Sequence, residues 1–193
     1  MSKKSTGVPK FSLGLDTETS GFSLPNFASK HQMISYGAVI VDNESLEIVD
    51  ALYNEIKFDD TKYIWDAGAE AIHGLSREHL SKNGLSSMDA ACALAEFMLK
   101  YFGPDPSIML IGHNPKFEVA FMKQLLEPLE IMPNLYDRMI DTSVLGFTAF
   151  NNTKSDFIFN KLGFEDRGTH NALEDLFLTV GAVKKFREGF KSL

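Results

Sequence analysis

Apolar residues along the chain fall into two rhythms. Phe11–Thr17 reads as a short strand, Met33–Asp42 as a longer one with Gly37-Ala38-Val39-Ile40-Val41 inside it, and Ile48–Ile56 continues the pair as a meander. From Met88 to Phe102 the period changes: Ala91, Leu94, Ala95, Met98 and Phe102 recur at helical spacing behind Ser86 and Asp89, which resemble a capping box. Gly103-Pro104 ends that helix. Ser107–Gly112 is a nearly continuous apolar run, the pattern of a buried strand, and leads directly to Asn114 as N-cap with Pro115 at the first helical position. A further strand is predicted near Met139–Asp141, then a last helix over Asn171–Phe186 with Leu176, Val180 and Val183 as its stripe. Three strands followed by alternating helices and strands predict an α/β domain built on one mixed sheet.

Composition narrows the possibilities. At 193 residues, 44% of them hydrophobic, the chain fits one domain of ordinary size with its own core. Residues 1–10 are expected to be a flexible basic N-terminus and 11–193 the domain, with no repeat and no linker inside it. No apolar run approaches the roughly 20 residues of a membrane helix. The single cysteine excludes an internal disulfide framework and a cysteine-rich zinc site, which agrees with a cytoplasmic protein. A net charge of −7 argues against binding phosphate backbones through bulk positive charge. The basic ends are the exception: Lys3, Lys4 and Lys10 lie at one, Lys184, Lys185, Arg187 and Lys191 at the other. The stretch from Lys184 is therefore a candidate contact for substrate or partner.

Acidic residues gather where elements end. Asp16 and Glu18 lie two apart at the end of the first strand, so an extended backbone puts both carboxylates on one face, a costly arrangement unless a cation or proton separates them. Two further groups follow: His113-Asn114-Pro115-Lys116-Phe117-Glu118 at the start of one helix, and His170-Asn171-Ala172-Leu173-Glu174-Asp175 at the start of the last. No glycine-rich phosphate loop, Gly-x-Ser-x-Gly elbow or Cys-x-x-Cys pair supports another enzyme class.

Together these groups resemble the three motifs of the DnaQ-like exonucleases of the DEDDh type: Asp-x-Glu, His-Asn-x-x-Phe-Asp and His-x-Ala-x-x-Asp, in order. Ala71-Ile72-His73-Gly74-Leu75 is similar to a segment of the proofreading branch. The resemblance implies a ribonuclease H-like domain with a mixed five-stranded sheet, a three-strand meander then parallel strands, covered by helices on both faces. It implies two divalent cations, Mg²⁺ or Mn²⁺, held by Asp16, Glu18, Glu118 and Asp175, with His170 as general base. Substrate contacts would come from Thr17, Thr19, Phe22, His73 and Asn114. The chemistry is consistent with these residue types, since phosphodiester hydrolysis needs an activated water and positive charge on the non-bridging oxygens. Carboxylate oxygens suit a hard dication, and an imidazole can accept a proton near neutral pH. The expected activity is removal of nucleotides from 3′ ends of single-stranded or frayed DNA as 5′-mononucleotides. The alternatives are a 3′–5′ exoribonuclease of RNase T or oligoribonuclease type, and a catalytically weak nucleic-acid-binding module. Monomer and homodimer stay equally open.

One departure separates the chain from that pattern. Glu118 stands where the family has Asp, placing the carboxylate roughly 1.5 Å further from the backbone. Other residues have plain structural readings. Cys92 is expected to pack as a small residue, His31 and His79 to lie at the surface, and His113 to steady its turn. Trp65 is read as packing and Asp141-Thr142 as structural.

Overall fold

A computed structural model describes residues 7–22, 27–104, 107–131, 133–165 and 168–191. Its centre is β1 (Phe11–Thr19), hydrogen-bonded on one side to β2 (Met33–Asp42), which a four-residue turn of helix, α1 (Phe27–Lys30), precedes. β3 (Ile48–Glu55) closes the antiparallel meander. Two short helices follow, α2 (Ala67–His73) and α3 (Arg77–Asn83), then the long α4 (Ser87–Phe102). β4 (Ser107–Gly112) returns parallel to β1 and leads into α5 (Pro115–Leu126). β5 (Asn134–Leu135) and β6 (Ile140–Asp141) both pair with β4, and α6 (Thr142–Phe150), α7 (Ser155–Lys161) and α8 (Ala172–Lys191) complete the chain. The order is β3-β2-β1-β4-β5, with β6 beside the far end of β4. The mixed sheet agrees with the sequence reading, except that two separate two-residue pieces share the fifth position.

Alternation along β1 decides which helix covers which face. Leu13 and Leu15 enter a core with Tyr36, Ala38 and Ile40 of β2, Ala91 and Leu94 of α4, and Phe121 and Met122 of α5. Val39, Val41 and Ile111 on the opposite face meet Leu176, Val180 and Val183 of α8. That second face is relieved by glycine: a Cβ on Gly14 would lie 2.5 Å from Val39 Cγ2, and one on Gly37 only 2.7 Å from the Ala172 backbone. The first turn of α8 thereby rests almost directly on the sheet, beside the end of β1.

Several expectations need correction. Cys92 is exposed, because it sits one residue, about 100° of helix rotation, beyond the core-facing Ala91. His31 is buried: Nδ1 lies 3.1 Å from the Ile64 carbonyl, and a Cβ on Gly21 would come within 2.4 Å of its ring. Asn114 does occupy the N-cap position of α5, but in the left-handed region at φ 57° and without a side-chain cap bond. Its backbone N–H instead donates to Asp141 Oδ1 at 3.0 Å, and the same oxygen caps α6 through Ser143 N. His79 is exposed as expected, and Trp65 packs edge-on against Phe58 while donating to Glu70.

The basic residues near the C-terminus have partners within the chain. Lys184 pairs with Glu47, Lys185 donates to the Leu162 carbonyl, and Arg187 donates to the carbonyls of Asn43 (2.9 Å) and Glu44 (3.2 Å). Asn43 also receives the start of the domain, its N–H donating to the Lys10 carbonyl and its amide to that of Pro9. The Asn43 contacts lie beside Phe11, roughly 23 Å along β1 from Glu18. Lys3 and Lys4 lie outside the described residues.

The seating of α8 on Gly37 is testable. Gly37→Ala forces the Ala172 backbone away and is expected to destabilise the fold by about 1–3 kcal/mol, read from the midpoint of chemical denaturation. An unchanged midpoint would contradict the close approach.

Candidate active site

Three chain segments meet at the C-terminal end of β1. The strand supplies Asp16 and Glu18 on the α8 face. The second contribution is the loop before α8, whose His170 N–H is tied to the Ile72 carbonyl at the end of α2 at 3.2 Å. Third is α8 itself, started by Asn171, whose Oδ1 accepts from Leu173 N and Glu174 N at 3.1 and 3.2 Å. That cap fixes the first turn, and with it Asp175.

The result is a cleft of about 130 Å³ lined by Asp16, Thr17, Glu18, His113, His170 and Asp175, together with Ser155, Phe159 and Thr179. Glu18, His170 and Asp175 each offer a ligand atom, all within 4.8 Å of one another. His170 Nδ1 lies 3.1 Å from Asp175 Oδ2. Glu18 and Asp175 are 8% and 6% exposed, so the cluster is an anionic recess largely withdrawn from water. Hard carboxylate oxygens around a recess of this size fit a divalent cation bound through oxygen.

Glu118 stands apart from that cluster. It is 4% exposed in the first turn of α5, does not line the cleft, and accepts a 2.5 Å hydrogen bond from Thr17 Oγ1. Burial pushes its carboxyl up to about 8, and the charge of Glu18 adds to that, while the Thr17 hydroxyl pulls the other way. Without a cation the side chain is therefore mostly protonated at neutral pH.

The remaining expected contacts are dispersed. Thr19 Oγ1 is committed to the Gly21 carbonyl at 2.9 Å. Phe22 is 57% exposed, and Asn114 is exposed at the mouth of α5. His73 is buried beside Trp65, with Nδ1 accepting from Leu75 N at 3.0 Å and its pKa lowered by burial, offset in part by Glu70. His113 lines the cleft as well as steadying its turn, since Nδ1 lies 2.9 Å from Thr142 Oγ1. Ser155, Phe159 and Thr179 were not anticipated. Thr179 follows Asp175 by four residues, so helical spacing alone puts it on the same face; Ser155 and Phe159 carry no comparable signal.

The exonuclease family typified by RNase T matches residues 13–183. The chain belongs to the DnaQ-like exonucleases. That match takes in all three clusters of the site, from Asp16 to Asp175. Among curated proteins none matches. In fold, the chain is similar to Escherichia coli exonuclease I in a zinc-bound complex with single-stranded DNA: TM-score 0.76, 15% identity, 93% of this chain and 41% of that one. It is also similar to the nuclease domain of 3′hExo, a DEDDh family member bound to rAMP: TM-score 0.72, 15% identity, 93% and 92%. A 3′-exonuclease that recognises the histone mRNA stem-loop gives TM-score 0.71 at 15% identity, over 93% and 82%. The chain thus spans about two-fifths of exonuclease I but nearly all of the 3′hExo nuclease domain.

The state of Glu118 sets a pH dependence. A carboxyl whose folded pKa is raised stabilises the fold when protonated; that contribution is complete below about 4.5 and is lost as pH rises through about 8. The cation-free protein is expected to lose thermal stability across this window, and Glu118→Gln to be more stable than wild type at pH 8 but not at pH 4.5. Thermal melts in EDTA measure this, and equal melting temperatures at pH 8 would contradict the burial argument.

Proposed function

We propose that the chain is a cation-dependent 3′–5′ exonuclease that shortens single-stranded or frayed DNA from its 3′ end, releasing 5′-mononucleotides. The observation that carries this reading is the convergence of Glu18, His170 and Asp175, with Asp16 beside them, at the end of the central strand of an exonuclease domain. Mg²⁺ or Mn²⁺, when bound as a pair, supplies positive charge to the non-bridging phosphate oxygens and makes water acidic enough to attack.

The chain's own residues do the rest. Asp16, Glu18, Asp175 and Glu118 would hold the cations, and without them the negative charge of the cleft carboxylates opposes binding of the phosphate. His170 takes one proton from the attacking water as the new P–O bond forms and the bond from phosphorus to the 3′ oxygen breaks. Its Nδ1 contact with Asp175 holds the ring in one orientation for that transfer. Phe22, exposed near the end of β1, offers a face on which a terminal base can stack without sequence preference.

DNA is favoured by the fold shared with exonuclease I in its single-stranded DNA complex. An RNA substrate is the second reading, favoured by the rAMP-bound domain whose length this chain nearly matches. Among the described residues no helix is long and apolar enough to cross a membrane. A reducing cytoplasm suits the exposed thiol of Cys92.

Oligonucleotides of DNA and RNA, labelled at the 5′ or the 3′ end and incubated with Mg²⁺, Mn²⁺ or EDTA, test the proposal. The expected result is a ladder of shortened 5′-labelled DNA with metal and intact DNA in EDTA; a ladder from RNA alone selects the second reading. No cleavage by folded protein would refute both. His170→Ala is expected to lower kcat about 10²- to 10⁴-fold while leaving the melting temperature near wild type. A loss below tenfold would remove His170 from the role of base.

A further inference from the structure

Thr17 borders the cleft, and its hydroxyl is committed to a carboxylate within the chain. Asp16 and Glu18 occupy one face of β1, and the residue between them turns its side chain to the opposite face, under α5. There Thr17 Oγ1 donates to Glu118 Oε2 at 2.5 Å, with both residues more than nine-tenths buried. It is the hydrogen-bond donor on this carboxylate among the described residues. An aspartate at position 118 would end roughly 1.5 Å short of that hydroxyl. The extra methylene of Glu118, which departs from the family pattern, is what brings its carboxylate to Thr17.

We infer that Thr17 is a positioning residue for cation binding: its hydroxyl holds one oxygen of Glu118, orienting the other toward the cation site beside Glu18. Carboxylates that bind metal are commonly held this way by a hydrogen bond to their second oxygen, and losing such a partner typically weakens metal affinity 10- to 100-fold. The two motifs are thus joined through the strand: backbone between Asp16 and Glu18 fixes the cleft carboxylates, and the side chain between them fixes the carboxylate of α5. This inference rests on the proposed two-cation site and adds to it a specific support for the second cation.

Mn²⁺ binding in the absence of nucleic acid, followed by the electron paramagnetic resonance of free Mn²⁺, tests it without relying on activity. Wild type is expected to bind two Mn²⁺ per chain. Thr17→Val, which keeps the shape and removes the hydroxyl, is expected to weaken one of the two by about 10- to 100-fold, and Thr17→Ser to restore it. Glu118→Asp, which withdraws the carboxylate from Thr17, is expected to weaken the same event, and this arm stands even if Thr17→Val fails to fold. Two Mn²⁺ bound as tightly by folded Thr17→Val as by wild type, or as tightly by Glu118→Asp, would overturn the inference while leaving the proposed function intact. A wild-type chain that binds fewer than two would overturn the two-cation reading and the inference with it.

Discussion

Carboxylates crowded into a recess repel one another, and the end of β1 is built around that repulsion. Asp16, Glu18 and Asp175 share a cleft of about 130 Å³, and Glu118 lies just behind it, close enough to Glu18 for the two charges to interact. Buried charges of one sign persist only if protons or cations compensate them. In the cation-free chain the compensation at Glu118 is a proton, held by burial against the opposing pull of the Thr17 hydroxyl. A dication does the same task more completely and leaves the carboxylate ionised. The site is therefore strained in one state and satisfied in another.

The fold supplies what that arrangement requires. Glycine at positions 14 and 37 lets the first turn of α8 approach the sheet, Asn171 caps that turn, and the Ile72 carbonyl anchors the loop that carries His170. Behind the strand, the core of Leu13, Leu15, Phe121 and Met122 fixes α5 at a distance where a glutamate reaches Thr17. Packing on both faces of one strand thus sets the positions of all the acidic groups. The net charge of −7 belongs partly to this site: without the four proposed ligands the balance is −3, and two dications return the whole chain to that value.

Long, strongly patterned elements were legible in the sequence. β2 and β4 begin and end where alternation and apolar runs predict, and α4 starts one residue early behind its Ser86 and Asp89 cap. The pairing of Asp16 with Glu18 and the placement of His170 and Asp175 at the start of α8 followed from spacing. Short elements were not legible: α2, α3 and α7 have seven residues each, too few for a helical period, and only the caps at Asp66, Gly74 and Ser76 mark the first two. Tertiary facts were also hidden. Burial of His31 depends on Gly21 and Ile64 closing over it, and the Thr17 bond to Glu118 joins residues 101 positions apart. The basic residues from Lys184 resembled a phosphate contact by composition, and composition gave no sign of the partners they have within the chain, the β2–β3 turn and the loop after α7.

The chemistry proposed for this chain depends on a cation in the acidic recess at the end of β1. Crystals of the protein soaked in Mn²⁺ and measured at the manganese absorption edge address it directly. The account predicts two anomalous peaks about 3.5–4 Å apart, one among Asp16, Glu18 and Asp175 and the other between Asp16 and Glu118. A recess without anomalous density at saturating Mn²⁺, or with peaks only at other acidic groups on the surface, would contradict it.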